Sequence, residues 1–97
     1  MGTNNSQTNT MSPPDRMTYL LYVDDEPDLL ELTRRYLERT GEFIVVTCSS
    51  AREALRSPCI ERCDAIVSDY QMPEMDGIEF LKAVRERRTD VPFILFT

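Results

Sequence analysis

Apolar positions in this chain fall into four short blocks separated by longer amphipathic stretches. Residues 17–23 (MTYLLYV), 43–47 (FIVVT), 65–68 (AIVS) and 91–96 (VPFILF) are nearly continuous apolar runs with many β-branched and aromatic side chains. Runs of this length and composition read as strands covered on both faces. The stretches between them carry helical spacing instead. Asp24-Asp25-Glu26 precede Pro27, which sits where a first helical position belongs. Leu29, Leu32, Thr33, Tyr36 and Leu37 then recur at three- and four-residue intervals, predicting one apolar face, and Gly41 stops the helix.

Ser50 and Glu53 have capping-box spacing for a second helix carrying Ala54 and Leu55. Pro58 breaks or restarts that helix, with Ser57 as a new cap. The loop 71–75 leads to Asp76, whose spacing to Glu79 is again that of a capping box. The third helix offers Ile78, Leu81 and Val84, or Phe80 and Val84, as its buried stripe. Arg85, Arg87 and Arg88 fall near its end, where cations suit the helix dipole. Strands alternating with helices imply an α/β fold, a parallel sheet with helices on both faces joined by right-handed crossovers.

Residues 1–16 (MGTNNSQTNTMSPPDR) are polar and end near two prolines. They cannot bury enough apolar surface to offset the entropy of ordering, so a disordered tail is predicted, with Met11 as an alternative start. A chain of 97 residues makes one domain at most, with a thin stability margin. Its net charge of −6 argues against a nucleic-acid binder, which would show a basic face. Cys48, Cys59 and Cys63 form an odd set without a disulfide framework and read as small buried thiols of a reducing compartment. The absence of histidine removes Ser-His and Cys-His catalysis, and it prevents the chain from being a phosphohistidine donor. No apolar run approaches a membrane span, and the N-terminus lacks the features of a signal peptide. Met1-Gly2 with Ser6 fits a myristoylation pattern short enough to match by chance. A cytoplasmic setting is expected.

Chemistry concentrates at the strand ends. In an open parallel sheet, ligands bind beyond the carboxyl ends of the strands. Strand one ends in Asp24 and Asp25, strand three in Asp69 and strand four in Thr97. Carboxylates gathered there repel by on the order of 4 kcal/mol per pair at about 4 Å and an effective dielectric near 20. The cluster therefore calls for a proton or a cation. Oxygen-only donors favour a hard ion, and Mg²⁺ fits best because it keeps several waters and bridges to phosphate oxygens. Taken singly, Asp-Asp-Glu before Pro27 could be capping chemistry and Asp69 a turn former; together they point to a site.

Two segments carry a family resemblance. Val23-Asp24-Asp25-Glu26-Pro27, then Ser68-Asp69-Tyr70-Gln71-Met72-Pro73-Glu74-Met75-Asp76-Gly77, then a strand ending in Thr97, resemble the response-regulator receiver domains of two-component signalling. The second segment is the more specific. The likeness covers residues 17–97 and implies a flavodoxin-like doubly wound sheet of order 2-1-3-4. It implies Asp69 as phosphoacceptor, taking a phosphoryl group from a histidine kinase, a phosphotransfer protein or a small phosphodonor. Asp25 would bind Mg²⁺ directly, Asp24 mainly through water, and Gln71 through its backbone carbonyl. Thr97 would be the switch hydroxyl. The chemistry would be self-phosphorylation and autodephosphorylation, with Tyr70 and Gln71 flanking the water's route, rather than that of an enzyme with a separate substrate. Pro73 and Gly77 would shape the loop.

A complete receiver continues with a further helix, a fifth strand ending in a phosphate-pairing lysine, and a last helix. The only lysine here is Lys82, on the third helix, and no residue carries over to that role. The expectation is a fragment of a longer regulator or hybrid kinase, with an output or kinase domain following, over a naturally short receiver. An uncovered fourth strand predicts marginal stability or self-association. Two other readings stand beside this one: a phosphorylation-independent interaction module with a vestigial acidic pocket, and an aspartyl phosphatase. The latter typically carries Asp-x-Asp on one strand, which this chain lacks.

Overall fold

The computed structural model describes residues 17–97, and the tail expected at 1–16 lies outside them. Strands β1 (Thr18–Val23), β2 (Phe43–Cys48), β3 (Ala65–Asp69) and β4 (Phe93–Phe96) alternate with helices α1 (Pro27–Glu38), α2 (Ala51–Arg56) and α3 (Gly77–Arg85). All neighbouring strands pair in parallel, and the sheet order is β2-β1-β3-β4. This is the doubly wound order expected from the sequence.

Alternation along β1 divides the core. Leu20 and Tyr22 face α1 and pack with Leu30 and Val45. Leu21 and Val23 face the other way and join Ile66, Ala54, Ile60, Phe80 and Val84 from β3, α2, the turn after it and α3. Period-two side-chain placement in the strand thus builds two layers of helix around one sheet.

Local signals set the boundaries. Pro27 opens α1, and Gly41, at φ +78°, supplies the left-handed residue that follows its end. Ser57 caps a 3-10 turn, Pro58–Glu61, by accepting the Cys59 N–H, so the chain restarts there as anticipated. Asp76 and Glu79 make a reciprocal capping box at α3. At α2 the box is incomplete. Ser50 accepts the Glu53 N–H, but the Glu53 carboxylate turns to the N–H and hydroxyl of Ser49. Strand β4 begins only at Phe93, because Pro92 has no N–H to give; its carbonyl still accepts from Ile66 N at 2.9 Å.

The face of α1 agrees only in part with the reading of its periodicity: Thr33 and Leu37 turn inward as expected, and the other three residues do not. Leu29, Leu32 and Tyr36 are exposed, the last two by two-thirds of their area, while Leu30 is buried with Thr33 and Leu37 beside it. Both stripes have helical spacing; tertiary bonds choose between them. Glu38 accepts the Val45 N–H at 3.0 Å and pairs with Arg34, which rolls the Leu30–Leu37 side onto β2. On α3 the Phe80 and Val84 alternative holds, and Ile78 is exposed. Arg88 does not simply complement the dipole of α3. Its guanidinium reaches the Cys63 carbonyl at 2.7 Å and the Ile60 carbonyl at 3.4 Å.

Candidate functional site

Strand pairing gathers the site. β1 lies beside β3 with Val23 opposite Ser68, so the residues that follow each strand emerge side by side. Asp24, Asp25 and Asp69 each present a carboxylate oxygen, and these atoms lie within 4.8 Å of one another. β4 pairs Phe96 with Asp69, and the Tyr70 N–H donates to the Phe96 carbonyl at 2.8 Å. Thr97 is the next residue, exposed at the same edge.

The three acids are held differently. Asp24 is 1% exposed. Its Oδ1 accepts the Glu26 N–H at 3.0 Å and its Oδ2 the Tyr22 hydroxyl at 3.1 Å. Such donors compensate a charge that burial alone would expel. Asp69 is half-buried; its Oδ1 accepts the Gln71 N–H at 3.3 Å, and its carbonyl takes the Ser68 hydroxyl at 2.9 Å. Asp25 is exposed. The pocket thus has one fixed wall, one oriented carboxylate and one adaptable carboxylate.

Gln71 lies in the loop after β3, where Tyr70, Gln71, Met72, Pro73 and Asp76 line an open groove. Met72 is buried and anchors this loop, and Glu74 takes a left-handed φ of 72°. Gly77 closes the loop: its N–H donates to the Tyr70 carbonyl at 2.8 Å. Lys82 is exposed on α3.

Sequence reasoning missed Tyr22, whose hydroxyl donates to Asp24. Burial pushes the Tyr22 phenol above its ordinary pKa, and the Asp24 and Asp69 charges act the same way. The signal was present in the spacing, since Tyr22 is two residues before Asp24 and shares its face of the strand. The oxygen-only character of the three acids fits a hard divalent cation such as Mg²⁺, and nothing softer is offered.

Known proteins agree with this architecture. The profile of the response regulator receiver domain matches residues 20–97. The chain is 38% identical over 81 residues to the response regulator SaeR of Staphylococcus aureus, covering 84% of this chain and 35% of that one. Among solved structures, the chemotaxis response regulator CheY4 of Vibrio cholerae superposes with a TM-score of 0.76 at 35% identity, over 82% of this chain and 68% of that one. The response regulator TrrA of Thermotoga maritima, solved in complex with Mg²⁺ and BeF, gives 0.74 at 32% identity, over 81% and 68%. With its sheet order, its acidic strand ends and this match, the chain belongs to the response-regulator receiver family. It spans about a third of the length of the curated relatives it matches.

Proposed function

We propose that this chain is a phosphoacceptor domain of a two-component relay, with Asp69 accepting the phosphoryl group in a Mg²⁺-dependent reaction. The observation that carries the reading is the convergence of Asp24, Asp25 and Asp69 at the carboxyl end of a parallel sheet. Asp25, Asp69 and the Gln71 carbonyl would hold the ion directly, with Asp24 acting mainly through water. When bound, the cation offsets carboxylate repulsion and the negative charge of an incoming phosphoryl group.

The residues divide the remaining work. The Gln71 N–H engages Asp69 Oδ1, which leaves Oδ2 as the attacking oxygen. A new O–P bond forms there while the phosphoryl group's bond to its donor, a phosphohistidine nitrogen or an acyl phosphate oxygen, breaks. Partial burial of Asp69 limits competing water. Thr97, one residue past the strand paired with Asp69, would be the switch hydroxyl that turns to the new phosphoryl oxygens. Tyr70 and Gln71 flank the route by which water later cleaves the acyl phosphate, so the chain acts on itself.

The donor is proposed to be a histidine kinase or a phosphotransfer protein of the cytoplasm. Leu29 lies in the first turn of α1, just beyond Asp25, and with Leu32 and Tyr36 it gives such a partner an apolar strip to bury. Among the described residues no helix is long and apolar enough to cross a membrane. The test is addition of a beryllofluoride complex with Mg²⁺, followed by NMR. Mg²⁺ alone should move the resonances of Asp69 and Gln71, and a further set of shifts that includes Thr97 should need both. Shifts that persist in Asp69→Ala would reject the assignment, and a chain indifferent to Mg²⁺ would favour a phosphorylation-independent interaction module.

A further inference from the structure

We propose that Tyr22 is a positioning residue of the acidic pocket: its hydroxyl fixes the Asp24 carboxylate in the orientation metal binding uses. The inference rests on the Mg²⁺ reading above and deepens it.

Packing alone does not ask for a hydroxyl at this position. Tyr22 is 4% exposed in an apolar layer with Leu20, Leu30 and Val45, where a phenylalanine would fill the same space. The phenol instead donates to Asp24 Oδ2 at 3.1 Å. With the Glu26 N–H on Oδ1, both oxygens of Asp24 are engaged, and the side chain has no freedom to turn. Each carboxylate oxygen keeps a further acceptor site, so water or a cation can still be bound.

The ring is fixed as firmly as its hydroxyl. Phe96 packs on it with centroids 6.1 Å apart and planes inclined at 31°. Phe96 is also the register partner of Asp69 and the neighbour of Thr97. One side chain therefore touches α1, the buried acid of the pocket and the strand that ends at Thr97. Groups that orient metal ligands without touching the metal commonly matter about 10–100-fold in affinity.

The test is calorimetric titration of MgCl₂ into the full chain and into Tyr22→Phe, with the Glu26 amide followed by NMR without metal. Tyr22→Phe should bind Mg²⁺ about tenfold more weakly. Its metal-free Glu26 amide should shift, because the acceptor of that amide has turned. Wild-type affinity in Tyr22→Phe would overturn the role of Tyr22 and leave the metal site intact. Failure of the unaltered chain to bind Mg²⁺ would overturn the metal reading and this inference together. Should Tyr22→Phe not fold, Tyr22→Leu, which also removes the hydroxyl and suits the layer of Leu20, Leu30 and Val45, is titrated in its place and the same outcomes decide.

Discussion

Gly77 sits so close to the end of β3 that a Cβ there would lie 2.6 Å from the Asp69 carbonyl oxygen and 2.9 Å from Tyr70 Cα. The start of α3 and the candidate phosphoacceptor are therefore in backbone contact, and only a residue without a side chain permits it. Neither neighbour is a flexible side-chain end that could swing aside.

Gly77→Ala should consequently cost roughly 1–3 kcal/mol, the range for forcing atoms into a filled space. It should also slow phosphorylation at Asp69, because the carbonyl it presses on belongs to that residue. Urea unfolding and a rate measurement with acetyl phosphate check both parts. Wild-type values in both would mean that the helix and strand can separate freely.

Removing the cap one residue earlier should act on stability alone. The Asp76 side chain accepts the Glu79 N–H at 2.9 Å, and Glu79 returns the bond. Asp76→Ala should lower stability by about 1 kcal/mol in urea unfolding, with Mg²⁺ affinity unchanged.

Arg88 ties the end of α3 to the turn before β3 through the carbonyls of Ile60 and Cys63. Arg88→Ala should cost roughly 1.5–3 kcal/mol, because charge-assisted bonds to half-buried carbonyls are lost along with the packing of the stem. Arg87→Ala removes an exposed contact to Glu61 at 3.5 Å and a bond to Leu55 O, and should cost less than about 1 kcal/mol. Equal losses for the two in chemical denaturation would contradict the assignment.

The thiols predict a pH dependence. Burial pushes Cys48 up to about 12 and Cys63 to about 11, from an ordinary value of 9.0. The unfolded chain therefore releases these protons first. The stabilisation is fully present below about pH 9 and is lost as pH rises through the folded values. Urea midpoints should fall between about pH 9 and pH 11, and Cys48→Ala should fall less steeply over that window. Parallel slopes would show that Cys48 is not the source.

Most of the fold was legible because its signals are local. Pro27, Gly41, Ser57 and Asp76 mark boundaries through chemistry acting within a few residues, and four apolar runs name the strands. The convergence of Asp24, Asp25 and Asp69 could be anticipated because a parallel sheet carries strand ends to one edge. The buried face of α1 could not. The expected face held Thr33 and Leu37, which do turn inward, but also Leu29, Leu32 and Tyr36, which do not; Leu30 takes the buried place, and the bond from Val45 to Glu38 that decides this joins the helix to the next strand. The reach of Arg88 to β3's approach is likewise a tertiary fact, whereas the Tyr22–Asp24 bond joins residues two apart and spacing hinted at it.

The most direct measurement is the intact mass of the chain after incubation with acetyl phosphate and Mg²⁺, beside Asp69→Asn under the same conditions. The wild-type chain should gain the mass of one phosphoryl group, lose it on chelation of Mg²⁺ before the donor is added, and Asp69→Asn should gain nothing. An equal gain in the variant, or none in the wild type, would contradict Asp69 as the acceptor.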